Sequence, residues 1–114
     1  MQLWGARFTL YDTPSARDFA GMLPLTLALT DYHRTEKIGD LPRKLTKEGV
    51  PAGADPSPGD IAYYAPWGNL ALFYKDFGYS DGLILLGRLD GDGADALAAP
   101  GPLRVTIELQ GDRP

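Results

Sequence analysis

The amino-acid sequence predicts a mainly β protein: a closed barrel of about eight short strands with one capping α-helix near residues 14–23. Several segments alternate apolar and polar residues with a period of two, which is typical of half-buried strands, and one segment has helical spacing. Glycine and proline supply 14 and 10 of the 114 residues, as expected of a chain with many turns. We expect the sheet to close because closure removes the unpaired edges of so many short strands.

The first three elements in chain order are a strand, the helix and a second strand. Residues 7–11 alternate apolar and polar side chains in a short strand. Thr13 is a helix-capping residue and Pro14 suits the first helical position, and apolar residues follow at helical spacing until Pro24 ends the pattern. We expect this helix to cover the apolar interior at one end of the barrel. Leucine alternates with threonine and alanine over residues 25–30, which predicts a strand with a leucine face.

The later elements follow a loop at residues 46–58, where three prolines and two glycines favour a surface position. Two aromatic-rich runs then flank a Pro-Trp-Gly-Asn turn within residues 59–77, and this arrangement predicts a β-hairpin. Residues 83–89 are almost continuously apolar, as in a strand that is buried on both faces. We predict a short helical turn near residues 93–99 and a last strand over residues 103–109, where apolar and polar side chains alternate.

Composition excludes several classes of function. The chain contains no cysteine, which excludes disulfides, thiol nucleophiles and zinc–thiolate sites. A net charge of −4 and a pI near 4.7 argue against binding to nucleic acid or to an anionic membrane. We expect a single domain over residues 1–114, in the cytoplasm, because no apolar run could span a bilayer and no signal peptide is evident.

Two short motif matches lack the context that their chemistry requires. Residues 78–82 match the G-x-S-x-G nucleophile elbow, but a strand follows where a helix is needed, and the sole histidine, His33, lies upstream. Residues 91–96 match a dinucleotide fingerprint, but they carry two aspartates and precede no second parallel strand. The same region lacks the ligands of a calcium loop. We therefore predict no cofactor and no metal site.

The hairpin is the predicted binding region because it gathers aromatic side chains around one loop. We expect a groove there for a small molecule or a proline-containing peptide. The candidate ligand-binding residues are Tyr64, Trp67, Asn69, Phe73, Tyr74 and Tyr79. Aromatic residues also fill barrel cores, so part of this set is expected to be structural. Trp67 in the turn is the hardest of them to bury.

Three segments carry a family resemblance: E-K-I-G at residues 36–39 followed by L-P, GDIAYYAPWGNLALFY from Gly59, and YSDGLILLGR from Tyr79. Together with Thr-Pro-Ser-Ala-Arg before the helix and LPLTLALTDY after it, they resemble the small bacterial cyclophilin-like fold proteins. The resemblance covers nearly the whole chain. It implies a closed β-barrel related to cyclophilins, without implying an activity.

The resemblance also identifies two candidate catalytic residues. Cyclophilins that isomerise prolyl bonds carry an arginine ahead of a phenylalanine, a methionine and a glutamine in a glycine-rich stretch, and this sequence has no such run. Arg43 lies in the comparable region, and Phe73 matches the phenylalanine of the proline pocket. The first strand, at residues 1–5, is short compared with that of relatives and is a candidate truncation.

Three functions therefore remain open at the level of sequence. The leading hypothesis is a binding module without isomerase chemistry, with Arg43 and Asn69 as polar anchors. The second is a divergent peptidyl-prolyl isomerase with Phe73 in the pocket and Arg43 as the hydrogen-bond donor to the proline nitrogen. The third is an accessory or assembly subunit that buries Trp67 in an oligomer. The oligomeric state and the identity of the ligand do not follow from the sequence.

Overall fold

The computed structural model describes residues 7–90, 97–99 and 101–108, and in these residues it contains one α-helix and nine strands. The helix is α1 (Pro14–Ala20). The strands are β1 (Phe8–Leu10), β2 (Leu25–Tyr32), β3 (Glu36–Asp40), β4 (Gly53–Ala54), β5 (Asp60–Tyr64), β6 (Asn69–Phe73), β7 (Ser80–Asp81), β8 (Leu83–Leu89) and β9 (Leu103–Ile107). The predicted mainly β architecture with one helix is confirmed.

Seven strands form one curled antiparallel sheet in the order β1-β8-β5-β6-β3-β2-β9, and β4 and β7 form a separate two-stranded ribbon. The outermost strands β1 and β9 do not pair with each other, so the residues that the structure describes make a curled half-barrel rather than the closed barrel we predicted. Closure would need a further pairing, and β4 and β7 do not supply it because neither of them pairs with β1 or β9.

The helix begins where the sequence predicts and ends three residues earlier. The Thr13 side chain accepts a hydrogen bond from the Ala16 N–H at 3.2 Å, which is a standard N-cap. After Ala20 the backbone N–H groups donate to the carbonyl three residues earlier instead of four, as in a final 3₁₀ turn, and Gly21 is the C-cap of the helix. Phe19 is fully buried beneath the helix, in the inner core.

The central strands are apolar on both faces, and the alternation of side chains divides them into two clusters. On β6, Leu70 and Leu72 belong to the large core on the inner, concave face. The intervening Ala71 and Phe73 belong to a second cluster on the outer face, together with Leu83. The expectation that the strand at residues 83–89 is buried on both faces is confirmed.

The β4–β7 ribbon lies over the outer cluster. Ala54 packs against that cluster, and the Gly82 N–H donates to the Ala52 carbonyl oxygen at 2.8 Å. Gly53 is required for this approach, because a Cβ atom there would collide with the Ser80 carbonyl oxygen and the Tyr79 ring. The proline-rich loop at residues 46–58 therefore folds back on the sheet as well as facing solvent.

Several predictions concern residues that the structure does not describe. The first strand at residues 1–5 and the glycine-rich match at residues 91–96 lie outside the described residues. Of the helical turn near residues 93–99, only residues 97–99 are described, and Leu97 is helical and fully buried there. No helix in the described ranges is long and apolar enough to cross a membrane.

Candidate functional site

A cleft on the outer face of the sheet is the candidate functional site, and we call it the outer cleft. It lies over β3, β5, β6 and β8 beside the hairpin turn, and its volume is about 100 Å³. Half of its lining is aromatic, from Tyr32, Tyr64, Trp67, Phe73 and Phe77. The other lining residues are Glu36, Ile38, Asn69, Ser80 and Leu83.

The aromatic wall is organised around Trp67 in the turn between β5 and β6. The turn is fixed by the Gly68 N–H, which donates to the Tyr64 carbonyl oxygen at 2.9 Å while Gly68 has a positive φ of 70°. The Trp67 ring meets the rings of Tyr64 and Tyr32 edge-on, with centroids 5.2 and 5.5 Å away. Because Trp67 is still 57% exposed, it offers an apolar surface to a ligand.

Glu36 is the acidic residue of the outer cleft and is only 7% exposed. Strand pairing places it between two aromatic residues, opposite Tyr32 on β2 and opposite Phe73 on β6. Its carboxyl group makes no hydrogen bond or ion pair with the part of the chain that the structure describes. Burial without such a partner disfavours the charged form and raises the pKa of Glu36 to about 7.

Asn69 supplies a second unpartnered acceptor to the same cleft. It is 3% exposed, and its Nδ2 atom donates to the Leu70 carbonyl oxygen at 3.3 Å. Its Oδ1 atom is buried and has no hydrogen-bond partner among the described residues. Since an unsatisfied buried acceptor costs free energy, a ligand that donates a hydrogen bond to this atom would be favoured.

The two acceptors lie toward opposite ends of the outer cleft. Glu36 is paired with Phe73, and Asn69 lies four residues before Phe73 on the same strand. At the usual rise of a β-strand, four residues correspond to about 13 Å. Ile38 lies between the two ends, where it pairs with the buried Ala71, and it lines the cleft with an apolar side chain. The outer cleft therefore has an acceptor at each end and apolar surface between them.

A second cavity, of about 300 Å³, is larger and less suited to specific recognition. It lies between the start of the helix, the loop at residues 48–54 and β8. Its polar lining residues Thr13 and Glu48 are not buried, and Thr13 already caps the helix. A specific small-molecule site needs a few fixed polar groups in an apolar pocket, and the outer cleft meets that description better.

Comparison with protein-family models matches the cyclophilin-like family over residues 5–108. The chain belongs to the cyclophilin-like family. Searches of curated proteins and of solved structures gave no significant match. Membership covers the sheet, the helix and every residue of the outer cleft, so the cleft is a feature of the domain itself.

The cyclophilin-like domain brings four of the predicted binding residues together, namely Tyr64, Trp67, Asn69 and Phe73. Tyr74 follows Phe73 on the strand and therefore points to the opposite side, where its hydroxyl donates to Asp31 at 2.8 Å. Burial first, and then this hydrogen bond, raise the pKa of Tyr74 to about 12. Tyr79 is 61% exposed and lies beside the ribbon, outside the lining of the cleft.

Arg43 lies away from the outer cleft and pairs with the helix. Its guanidinium contacts the Asp18 carboxylate at 2.8 Å, and the Asp18 carboxylate also accepts from the Thr46 N–H at 2.8 Å. The hydrogen bond from Arg43 lowers the pKa of Asp18 below its ordinary value. The structure therefore does not bring Arg43 and Phe73, the two candidate catalytic residues, into one site.

Sequence reasoning did not single out Glu36, Tyr32 or Phe77 as site residues. Glu36 enters the cleft from β3, which pairs with β6 across a long sequence separation, and Tyr32 enters from β2, which pairs with β3. One signal was present in the sequence: Glu36 and Ile38 alternate on a strand, and a charged residue in register with an apolar face is unusual. In the described ranges, no group of three or more histidine or acidic residues could hold a metal ion.

Proposed function

We propose that this cyclophilin-like protein is a ligand- or peptide-binding module and that the outer cleft is its binding site. The single observation that carries the proposal is the coincidence of unpartnered buried acceptors with an aromatic wall in one cleft. Glu36 and Asn69 are both more than nine-tenths buried, and each lines the cleft beside aromatic rings.

The size of the site and the exposed ring of Trp67 support a ligand that places one side chain in the cleft. A volume of about 100 Å³ is roughly that of three molecules of liquid water, well below a pocket for a drug-sized molecule. The exposed face of Trp67 extends the apolar surface beyond the cleft itself. A segment of peptide that places one side chain in the cleft and lies across Trp67 fits this shape.

The geometry favours binding over prolyl isomerisation. Isomerisation requires a donor to the proline nitrogen as amide resonance is lost, against a barrier of about 18–20 kcal/mol. None of the residues lining the outer cleft carries a guanidinium or ammonium group, and Arg43 is engaged by Asp18. Phe73 offers an apolar surface in the cleft, but it would act without the donor that the isomerase hypothesis assigned to Arg43.

The test is NMR titration of the protein with a library of short peptides that includes Xaa-Pro sequences. We expect amide shifts in residues 64–69 and at Glu36, and we expect Trp67→Ala to weaken binding by about tenfold because one aromatic contact is lost. Tyr79→Ala is the matched control: it removes an equally exposed aromatic ring outside the cleft and should leave affinity unchanged.

Three results would count against this function. Binding that is unaffected by Trp67→Ala would place the site elsewhere. Exchange spectroscopy that shows accelerated cis–trans exchange of the Xaa-Pro peptides would make the protein an isomerase instead. A stable oligomer in solution that buries Trp67, with no peptide binding, would favour the accessory-subunit hypothesis.

A further inference from the structure

We infer that the Glu36 end of the outer cleft is a subsite for an alkylammonium group, such as the side chain of a lysine residue in an extended peptide. This inference rests on the proposed binding function and names the chemistry that the cleft selects.

The side chains opposite Glu36 on both neighbouring strands are aromatic. Tyr32, Glu36 and Phe73 occupy one row across the adjacent strands β2, β3 and β6, and side chains opposite each other in such pairs lie about 5 Å apart at Cβ. The Phe77 ring lies 6.0 Å from the Phe73 ring. Aromatic rings on several sides of a carboxylate attract an organic cation, since the faces of the rings and the carboxylate are all negative.

The Glu36 carboxylate pairs with no cation among the described residues. The other buried or half-buried carboxylates in the described chain, those of Asp18 and Asp60, each contact an arginine, and the exposed residue Asp31 contacts Lys37. Glu36 alone among these buried acids has no ion pair there, and its burial makes ionisation costly. An ammonium group that enters the cleft would remove that cost by pairing with the carboxylate.

Asn69 lies at the other end of the cleft. Its Oδ1 atom lacks a donor in the described structure, and it lies about four strand residues from the Glu36 position. An extended lysyl peptide carries both required groups, because it has an ammonium group at one end and a backbone N–H several atoms away. The apolar side chain of Ile38 would contact the methylene groups between them.

The net charge of −4 is consistent with a cationic ligand, because it favours the approach of positive charge to the protein. A trimethylated ammonium group would retain the interaction with the rings but could donate no hydrogen bond to Glu36. We therefore assign the subsite to an ammonium group that keeps at least one N–H.

The experiment compares four ligands by calorimetry and NMR at pH 8, where Glu36 is mostly ionised. They are an acetyl-Gly-Lys-Gly amide peptide, the same peptide with norleucine or with Nε-acetyl-lysine, and n-butylammonium. We expect the lysine peptide to bind at least about tenfold more tightly than either neutral peptide, with shifts at Glu36 and Tyr32.

The variants are Glu36→Gln, which keeps the shape and removes the charge, and Asp40→Asn as the matched control. Asp40 lies on the same strand, is exposed and does not line the cleft, so its substitution changes net charge equally. We expect Glu36→Gln to abolish the preference for lysine and Asp40→Asn to retain it. Asn69→Ala should weaken the lysine peptide severalfold without changing the affinity for n-butylammonium.

The comparison of ligands also distinguishes a free amine from a lysine side chain as the natural ligand. It tests the ammonium subsite separately from the proposed binding function. Butylammonium binding as tight as that of the peptide would support a free amine as the ligand, and tighter peptide binding would support a lysyl segment. Neutral peptides that bind as well as the lysine peptide, in a manner that depends on Trp67, would overturn the ammonium subsite and leave the binding function intact. No binding of any ligand would overturn both.

Discussion

At the scale of single residues, protonation of the Glu36 carboxyl group affects both the stability of the fold and the proposed binding of a cation. The ordinary pKa of 4.5 applies in the unfolded chain, and burial raises the pKa to about 7 in the folded protein. Between pH 4.5 and about pH 7, the Glu36 carboxyl group is therefore protonated to a greater extent in the folded protein than in the unfolded chain. Its stability falls as pH rises from about 4.5 to about 7, because the ionised carboxylate is left in an apolar cleft.

Replacing Glu36 with glutamine should remove this pH dependence. We expect Glu36→Gln to be more stable than the wild type at pH 8, by about 2 to 3 kcal/mol, and about equally stable near pH 4.5. Urea denaturation of both proteins at several pH values measures the difference. A constant difference between Glu36→Gln and wild type across the range would contradict the explanation.

At the scale of elements, a buried polar network ties three strands to the segment before β9. The Lys37 ammonium is 1% exposed and donates to Asp31 at 2.9 Å and to the Gly101 carbonyl oxygen at 2.8 Å. Asp31 also accepts from the Tyr74 hydroxyl and from the Gly101 N–H. This network links β2, β3 and the end of β6, and it holds the chain that enters β9.

Removing the carboxylate from this network should leave a buried charge without its partner. We expect Asp31→Ala to destabilise the protein by about 3 kcal/mol, since breaking one side of a buried pair costs more than the pair contributes. Adding Lys37→Met on the Asp31→Ala background should recover part of that loss. Chemical denaturation of the two single variants and the double variant tests this, and a strictly additive double variant would rule out the coupling.

At the scale of the whole molecule, sequence reasoning succeeded where patterns are local. Alternation identified the strands that contain Phe8, Leu27 and Val105, and the aromatic-rich runs around the turn identified the strand that contains Tyr63. The Thr13 cap located the start of the helix. It failed where function depends on pairing between distant strands. Nothing in the order of residues shows that Tyr32 and Phe73 flank one carboxyl group, or that Arg43 contacts Asp18 instead of the cleft.

The sheet order predicts how stability is distributed across the molecule. Strands β5, β6 and β8 lie inside the sheet, pair on both sides and contribute to both apolar clusters, whereas β1 and β9 each pair on one side only. We expect native-state hydrogen exchange to be slowest in β5 and β6 and fastest in β1 and β9, with β1 first because it has three residues. Equal protection of β1 and β6 would contradict this gradient and would show that the sheet unfolds as one cooperative unit.

The chain between β6 and β7 gives this domain a simple route to new specificity. Residues 75–79 are all exposed, yet they carry Phe77 into the wall of the outer cleft. Lengthening a flexible surface loop is thermodynamically inexpensive, at about 0.6 kcal/mol for each doubling of its length. An insertion here would deepen or close the cleft while leaving both apolar clusters and every strand pair in place. Ligand choice can therefore change by insertion in one loop, independently of the residues that determine the fold.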